Sequence, residues 1–176
     1  MANTWTCNAQ AVAYALNKDM IDVHHTAADA RFERIREIVM LNNSLTAVVG
    51  VILQCQILRH TTAPTGGTAI TPVSRDSSNA ALNAGFTSGT GRTLEASSLY
   101  RQFVFGNEEP VIAGAAFANW LTLVPFGLVW PPSVGDTSLQ PLTMVGSTLE
   151  GFYIKNITST IVGAADLEAH ITDEAT

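Results

Sequence analysis

Charged side chains are scarce in this sequence. Asp, Glu, Lys and Arg make up 14% of the residues, whereas roughly 25% is usual for a soluble domain. Because the cores of protein interfaces are depleted in charge, this scarcity indicates a protein much of whose surface is covered by partners. The nine basic residues are scattered apart from Arg31, Arg34 and Arg36, and the net charge is −6. Without a basic stripe to follow a phosphate backbone, we expect no direct binding to nucleic acid.

Long apolar runs are also missing. The best stretch, residues 45–57, contains Gln54 and Gln56 and is followed by Arg59. It falls well short of the roughly 20 apolar residues that a membrane-spanning helix needs. The first ten residues have neither the basic start nor the continuous apolar run of a secretory signal peptide. We therefore expect a protein that is made in the cytoplasm of its host and has no membrane partner.

The residues that most often bind metals are few and badly spaced. Cys7 and Cys55 are the only cysteines, and neither belongs to a CxxC pair. We interpret Cys55 as a small buried hydrophobic residue and Cys7 as an incidental thiol. His24 and His25 are adjacent, and neighbours on a strand point to opposite faces, so they cannot easily share one ion. The sequence predicts no metal and no cofactor, with each of the four histidines hydrogen-bonded or solvated.

Motifs for nucleophilic catalysis and phosphate binding are missing as well. The sequence has no GxSxG nucleophile elbow, and the Gly-rich residues 85–91 lack the Lys of a phosphate-binding loop. Glu108 and Glu109 stand side by side before Pro110, but neighbouring carboxylates on a turn are usually solvated and seldom do acid–base chemistry. We predict that the protein is not an enzyme and has no catalytic residues.

What the sequence does contain is a repeated alternation of apolar and polar residues, the pattern of half-buried strands. The alternation is clearest over residues 159–172, where Leu167 lies on the apolar face and Glu168 on the polar one. Further strands are predicted at residues 48–60, 98–105, 117–124, 126–130, 141–145 and 148–158, and the last two are expected to form a hairpin.

Residues 32–41 fit two patterns. The spacing of Phe32, Ile35 and Val39 is compatible with a helix, and an upstream capping box could start it. A strand is favoured, because Ile35, Val39 and Leu41 also share one face of a strand and the following Asn-Asn-Ser is typical of a turn.

Many short strands separated by turns rich in Pro and Gly predict an all-β fold, either a β-sandwich or a jelly-roll-like domain. We place this domain at residues 19–172. Residues 1–18 show no strand pattern and are interpreted as an amino-terminal arm, and residues 173–176 as an acidic tail. Residues 61–96, rich in Thr, Ser, Gly, Asn and Pro, are interpreted as a long loop. Loops of that length tend to be functional or held by a neighbour.

Several motifs follow one another in an informative order. RFERIREIVMLNN at residues 31–43 precedes a strand that ends in Leu-Arg-His, then PTGGTAITPV at 64–73 and finally PLTMVGSTLEG at 141–151. This order resembles that of small virion structural proteins of tailed bacteriophages. In that family two strands, a Gly-Gly-Thr-x-x-Thr-Pro loop and a late Pro-Leu hairpin follow in sequence. The resemblance covers residues 20–171 and implies a role such as capsid decoration or cementing, without catalytic residues.

On this basis we expect a structural virion protein, a head decoration or cement protein that stabilises the capsid. Its expected partners are the major capsid protein and copies of itself, in a homo-oligomer that would be a trimer at the threefold axes of an icosahedral shell. The alternative is a tail or fibre component that binds host surface glycans. The residues assigned to assembly contacts are Trp5, Tyr14, Pro64, Thr65, Gly66, Gly67, Thr68, Trp120 and Trp130.

Overall fold

The structure, a computed structural model, describes residues 3–42, 51–93, 97–107, 126–130, 141–158 and 163–174. Within these ranges the elements are strands and one short 3-10 helix, Gly146–Thr148. No helix in the described part of the chain is long and apolar enough to cross a membrane. The strands are β1 (Asn3–Ala13), β2 (Asp19–His25), β3 (Phe32–Asn42), β4 (Val51–His60), β5 (Thr68–Ile70), β6 (Val73–Ser74), β7 (Phe86–Thr90), β8 (Ser98–Asn107), β9 (Phe126–Trp130), β10 (Leu142–Val145), β11 (Gly151–Asn156) and β12 (Ala164–Glu174).

The strands form two antiparallel sheets that pack face to face. In sheet A the order is β6-β1-β12-β3, and β9 and β10 pair with different halves of β3 on its remaining side. In sheet B the order is β5-β7-β2-β11-β4-β8. The predicted all-β sandwich is therefore confirmed.

The connections follow the jelly-roll scheme. β1 pairs with β12, β2 with β11, β3 with β9 and β10, and β4 with β8. The chain thus resembles a long hairpin that has been rolled up. Successive strands of this hairpin alternate between the sheets, because β1 and β3 belong to sheet A and β2 and β4 to sheet B. Rolled hairpins of this kind give the double-sheet jelly roll.

The core lies between the sheets, and β12 supplies its clearest row. Ala165, Leu167, Ala169 and Ile171 are at most 1% exposed, as the alternation in the sequence predicts. They belong to the same apolar cluster as Ile57 of β4, and Phe152 and Ile154 of β11 extend it on the side of sheet B. Burying two such rows against each other supplies the main driving force for this fold.

Residues 32–41 are part of a strand, as favoured, and the structure explains why a helix also fitted. β3 pairs with β12 so that Ile35 lies opposite Ile171 and Glu37 opposite His170. Arg36 is therefore an extra residue, a β-bulge, which moves the inward side chains from Ile35 to Ile38. The resulting interval of three between Ile35 and Ile38 fits a helix as well as a strand. The face predicted for Val39 and Leu41 is wrong, because after the bulge they lie opposite outward residues of β12 and Ile38 points into the core.

The prediction of an amino-terminal arm is wrong for residues 3–13. These residues form β1, an interior strand of sheet A that pairs with β12 on one side and with β6 on the other. Cys7 and Ala9 point into the core and are 0% and 3% exposed. Because both are small, their burial leaves little apolar signal among the Thr, Asn and Gln residues around them.

The structure also differs from the predictions for the long loop, the acidic tail and the late hairpin. The segment 61–96 is not one loop, since it contains β5, β6 and β7. The acidic tail does not begin at residue 173, because Asp173 is 4% exposed and lies in β12. Residues 141–145 do not form a hairpin with the next strand, because β10 joins sheet A and β11 joins sheet B. The strand predicted at 117–124 lies outside the described residues.

Candidate functional site

The predicted contact loop, residues 64–68, is an ordered part of one edge of sheet B. Thr65 and Thr93 exchange two backbone hydrogen bonds of 3.1 and 2.9 Å, and β5 pairs with β7 directly afterwards. Gly66 and Gly67 have φ angles of 72° and 71°, a left-handed conformation that favours glycine. Pro64 is buried, so its assignment to an assembly contact is wrong, whereas the other four residues are exposed. The chain thus presents a fixed, uncharged turn at this edge.

A buried arginine holds this loop against the sheet. Arg92 is 8% exposed, and its side chain lies over Gly67 and Gly89 so closely that a Cβ on either glycine would overlap it. Its Nε lies 3.2 Å from Oδ2 of Asp22, and its backbone N–H donates to the carboxylate of Asp19. The arginine therefore connects the loop to β2 through two carboxylates.

Beneath Arg92, the outer face of sheet B carries buried histidines. Nη1 of Arg92 lies 3.3 Å from Nε2 of His24, and Nδ1 of His24 lies 2.8 Å from Oδ1 of Asp22. Because the guanidinium can only donate, His24 accepts at Nε2 and donates its hydrogen from Nδ1 to Asp22. The ring of His60 follows, 5.7 Å from that of His24. The Arg92 cluster is defined here as Arg92, Asp19, Asp22, His24 and His60.

Burial changes the proton affinity of this cluster. It raises the pKa of Asp19 to about 7, together with the charge of Asp22, while the hydrogen bond and charge of Arg92 act against the shift. Burial also lowers the pKa of His60, although Nδ1 of His60 lies 2.8 Å from the carbonyl oxygen of Thr62. In this arrangement Nε2 of His24, the atom that an Asp–His pair would offer to a substrate, is occupied by Arg92.

Gly151 makes room for the two histidines. It lies opposite His24 on one side and His60 on the other, and a Cβ at this position would overlap both side chains. We expect Gly151→Ala to destabilise the protein by about 1–3 kcal/mol, the usual range for overpacking a filled interior. Urea unfolding followed by circular dichroism measures the change.

The matched control for this prediction is Lys155→Ala, on the same strand but partly exposed. It should change the free energy of unfolding by less than about 0.5 kcal/mol. Equal stability of Gly151→Ala and wild type would show that His24 and His60 are not packed as described.

The predicted aromatic contact residues have different surroundings. Tyr14 is 1% exposed and its hydroxyl donates to the carbonyl oxygen of Ala164 at 2.9 Å, so it is a core residue and its assignment to a surface contact is wrong. Trp5 is partly buried on β1 and packs against the core. Trp130 is the last residue of β9, and Trp120 lies outside the described residues.

An apolar surface occurs instead on β8, the strand at the far edge of sheet B. Leu99 and Val104 are 55% and 63% exposed, which is high for large apolar side chains. Both lie at the opposite edge of sheet B from the contact loop. The sequence predicts a strand at residues 98–105 but does not indicate that its apolar side chains are exposed.

Both cysteines and the neighbouring His24 and His25 are buried. Cys7 and Cys55 are both buried, which confirms the interpretation of Cys55 and corrects that of Cys7. Burial raises the pKa of each thiol to about 12. His24 and His25 do point to opposite faces of β2, because His24 contacts Asp22 whereas His25 contacts Glu33. Within the described ranges no group of three or more His, Cys, Asp or Glu residues could hold a metal ion.

Comparisons with known proteins add no relative: no family model, no curated protein and no solved structure matches the chain.

Proposed function

We propose that this protein is a structural subunit of a virus particle, a head decoration or cement protein that binds the major capsid protein and copies of itself. The observation that carries the proposal is the fixed, uncharged loop at residues 64–68, which the Arg92 cluster holds at an edge of a jelly-roll sandwich. A turn that is rigid before binding loses little conformational entropy when a partner covers it. Such a turn suits a repeated assembly contact.

The fold and the composition support the same role. Jelly rolls are common in viral capsid proteins, and they also occur in lectins. A charged fraction of 14% suits surfaces that become dry in an assembly, since interface cores are depleted in charge. The exposed Leu99 and Val104 are the kind of side chains that a neighbouring subunit would cover.

The first test is the oligomeric state. We expect the purified protein to form a homo-oligomer, with a trimer expected because trimers match the threefold axes of an icosahedral shell. Light scattering coupled to size-exclusion chromatography at micromolar concentration measures the mass. A monomer over the whole concentration range would contradict the self-assembly part of the proposal.

The second test compares particles with and without the protein. A protein that binds only the assembled shell stabilises it by about 3–4 kcal/mol at 100 to 1,000 times its dissociation constant. We therefore expect particles that lack the protein to melt at lower temperature and to regain stability when it is added back. Unchanged melting combined with lost adsorption to host cells would reject cementing and favour the glycan-binding tail or fibre component.

Two matched variants connect the particle test to the loop. Thr65→Lys adds one positive charge to the exposed turn, and Gln10→Lys adds the same charge to an exposed residue of β1. We expect the Thr65 variant to fold normally but to restore particle stability poorly, because a lysine must be desolvated in a dry contact. The Gln10 variant should act as wild type. Equal restoration by both variants would remove the loop from the contact.

A further inference from the structure

A second buried polar cluster lies between the two sheets. His25 of β2 belongs to sheet B and Glu33 of β3 to sheet A, and Nε2 of His25 is in direct contact with Oε2 of Glu33. Both side chains are fully buried, and the ring of Phe86 packs edge-on against His25 with the centroids 6.4 Å apart. This pair is an ionisable link between the layers of the sandwich.

Two more carboxylates face this pair. Nδ2 of Asn83 donates to Oδ2 of Asp29 at 2.7 Å and to Oε1 of Glu33 at 3.2 Å, and the backbone N–H of Asn83 donates to Oδ2 of Asp173 at 3.2 Å. Nη1 of Arg31 lies 3.2 Å from the same Asp173 oxygen, but the Arg31 side chain is 42% exposed. The three carboxylates of Asp29, Glu33 and Asp173 are therefore balanced by two groups that can carry positive charge, the imidazole of His25 and the partly solvated guanidinium of Arg31.

We infer that His25, Asp29, Arg31, Glu33, Asn83 and Asp173 form a proton-operated clasp between the sheets, closed when His25 carries its second proton and loosened when that proton is lost. Once His25 is uncharged, the carboxylates of Asp29, Glu33 and Asp173 repel one another across a buried space. The segment that Asn83 anchors would then separate from β12. This inference does not depend on the proposed virion role.

The electrostatic balance around His25 favours its doubly protonated form, in which the clasp is closed. Burial alone lowers the pKa of His25, but the contact with Glu33 and the charges of Glu33, Asp29 and Asp173 more than offset it, so that the pKa lies above the ordinary value of 6.5. Burial and the charge of Glu33 likewise raise the pKa of Asp173 above 3.8. Both shifts mean that the folded protein binds protons more tightly than the unfolded chain.

The sign of the pH effect follows from this binding. The stability contributed by His25 is fully present below pH 6.5 and is lost as the pH rises through its folded pKa. The stability contributed by Asp173 is likewise lost with rising pH, beginning above pH 3.8. The lowered pKa of His60 has the opposite effect, because it reduces stability as the pH falls below 6.5. The interval between pH 6.5 and pH 9 therefore contains the effects of His25 and Asp19, whereas the buried thiols of Cys7 and Cys55 affect stability only above pH 9.

The test is a proton NMR titration of the full chain, whose four histidines give few imidazole signals to assign. We expect the His25 midpoint above 6.5 in the wild type, and a lower midpoint in both Glu33→Gln and Asp173→Asn. Amide hydrogen exchange supplies a second readout. After correction for intrinsic rates, the amides of Asn83 and Phe86 should lose protection as the pH rises through the His25 midpoint.

The matched control is Glu37→Gln, which removes the same charge from the His170–Glu37 pair on the other face of β3, where Glu37 is 39% exposed. It should leave the His25 midpoint where the wild type has it. A wild-type midpoint at or below 6.5, or protection of Asn83 that does not change with pH, would overturn the clasp. Because both measurements use the wild type, the conclusion stands even if Glu33→Gln does not fold.

Discussion

Leu167→Asp is expected to unfold most of the protein at 25 °C. Leu167 is 0% exposed and lies on β12 between Ala9 of β1 and Met40 of β3, in the middle of sheet A. The substitution loses about 1.5–3 kcal/mol of apolar burial and places an unpaired carboxylate in the core, which costs several kcal/mol more. Domains have only about 5–15 kcal/mol of stability in total. Urea unfolding followed by circular dichroism measures the loss.

Glu168→Ala, one residue further along β12, is the matched control. The Glu168 side chain is one-third exposed and contacts His170 and Asn8 across the surface of sheet A. Solvent-exposed ion pairs contribute about 0–1 kcal/mol, so we expect a change within that range. Similar losses at both positions would contradict the inward and outward assignment of β12.

The alternation that identifies β12 explains which parts of the fold the sequence predicts. Strands whose inward residues are large, such as Leu167 and Ile171, stand out from their polar neighbours. β1 instead turns the small side chains of Cys7 and Ala9 inward, so its sequence shows no clear strand pattern and predicts an arm. Burial of small side chains is a property of the packed sandwich, because only the partner layer determines how much space each position has.

The Arg92 cluster could not be predicted from local patterns. Arg92 and Asp19 are 73 residues apart in sequence, and nothing in the Thr- and Gly-rich segment around Arg92 indicates that its side chain is buried. The outer face of β2 carries Asp22 and His24, residue types that predict a solvated face. β2 is nevertheless buried on both faces, because the segment after β7, which contains Arg92, covers the outer one. Long-range packing thus turns apparent surface charges into interior ones.

Arg92→Met is expected to destabilise the protein by about 3–5 kcal/mol, the usual loss when one partner of a buried charge pair is removed. Methionine keeps most of the side-chain volume, so the change tests the charge and the hydrogen bonds. It leaves the carboxylates of Asp19 and Asp22 buried without their cation. Because the pKa of Asp19 is about 7, Asp19 can take up a proton at lower pH and relieve part of the repulsion. The loss of stability relative to wild type should therefore be larger at pH 8 than at pH 6.

Arg36→Met is the control for this substitution, because the Arg36 side chain is 44% exposed and pairs with Glu174 at the surface. We expect it to change stability by no more than about 1 kcal/mol. In the double variant Arg92→Met with Asp22→Asn, part of the lost stability should return, since one of the two carboxylates left without a cation is gone.

Limited proteolysis tests the consequence of Arg92→Met for the loop at residues 64–68. If Arg92 fixes that loop against sheet B, the Arg92 variant is cut there faster than wild type, and equal cutting rates would show that the backbone pairing of Thr65 with Thr93 is sufficient.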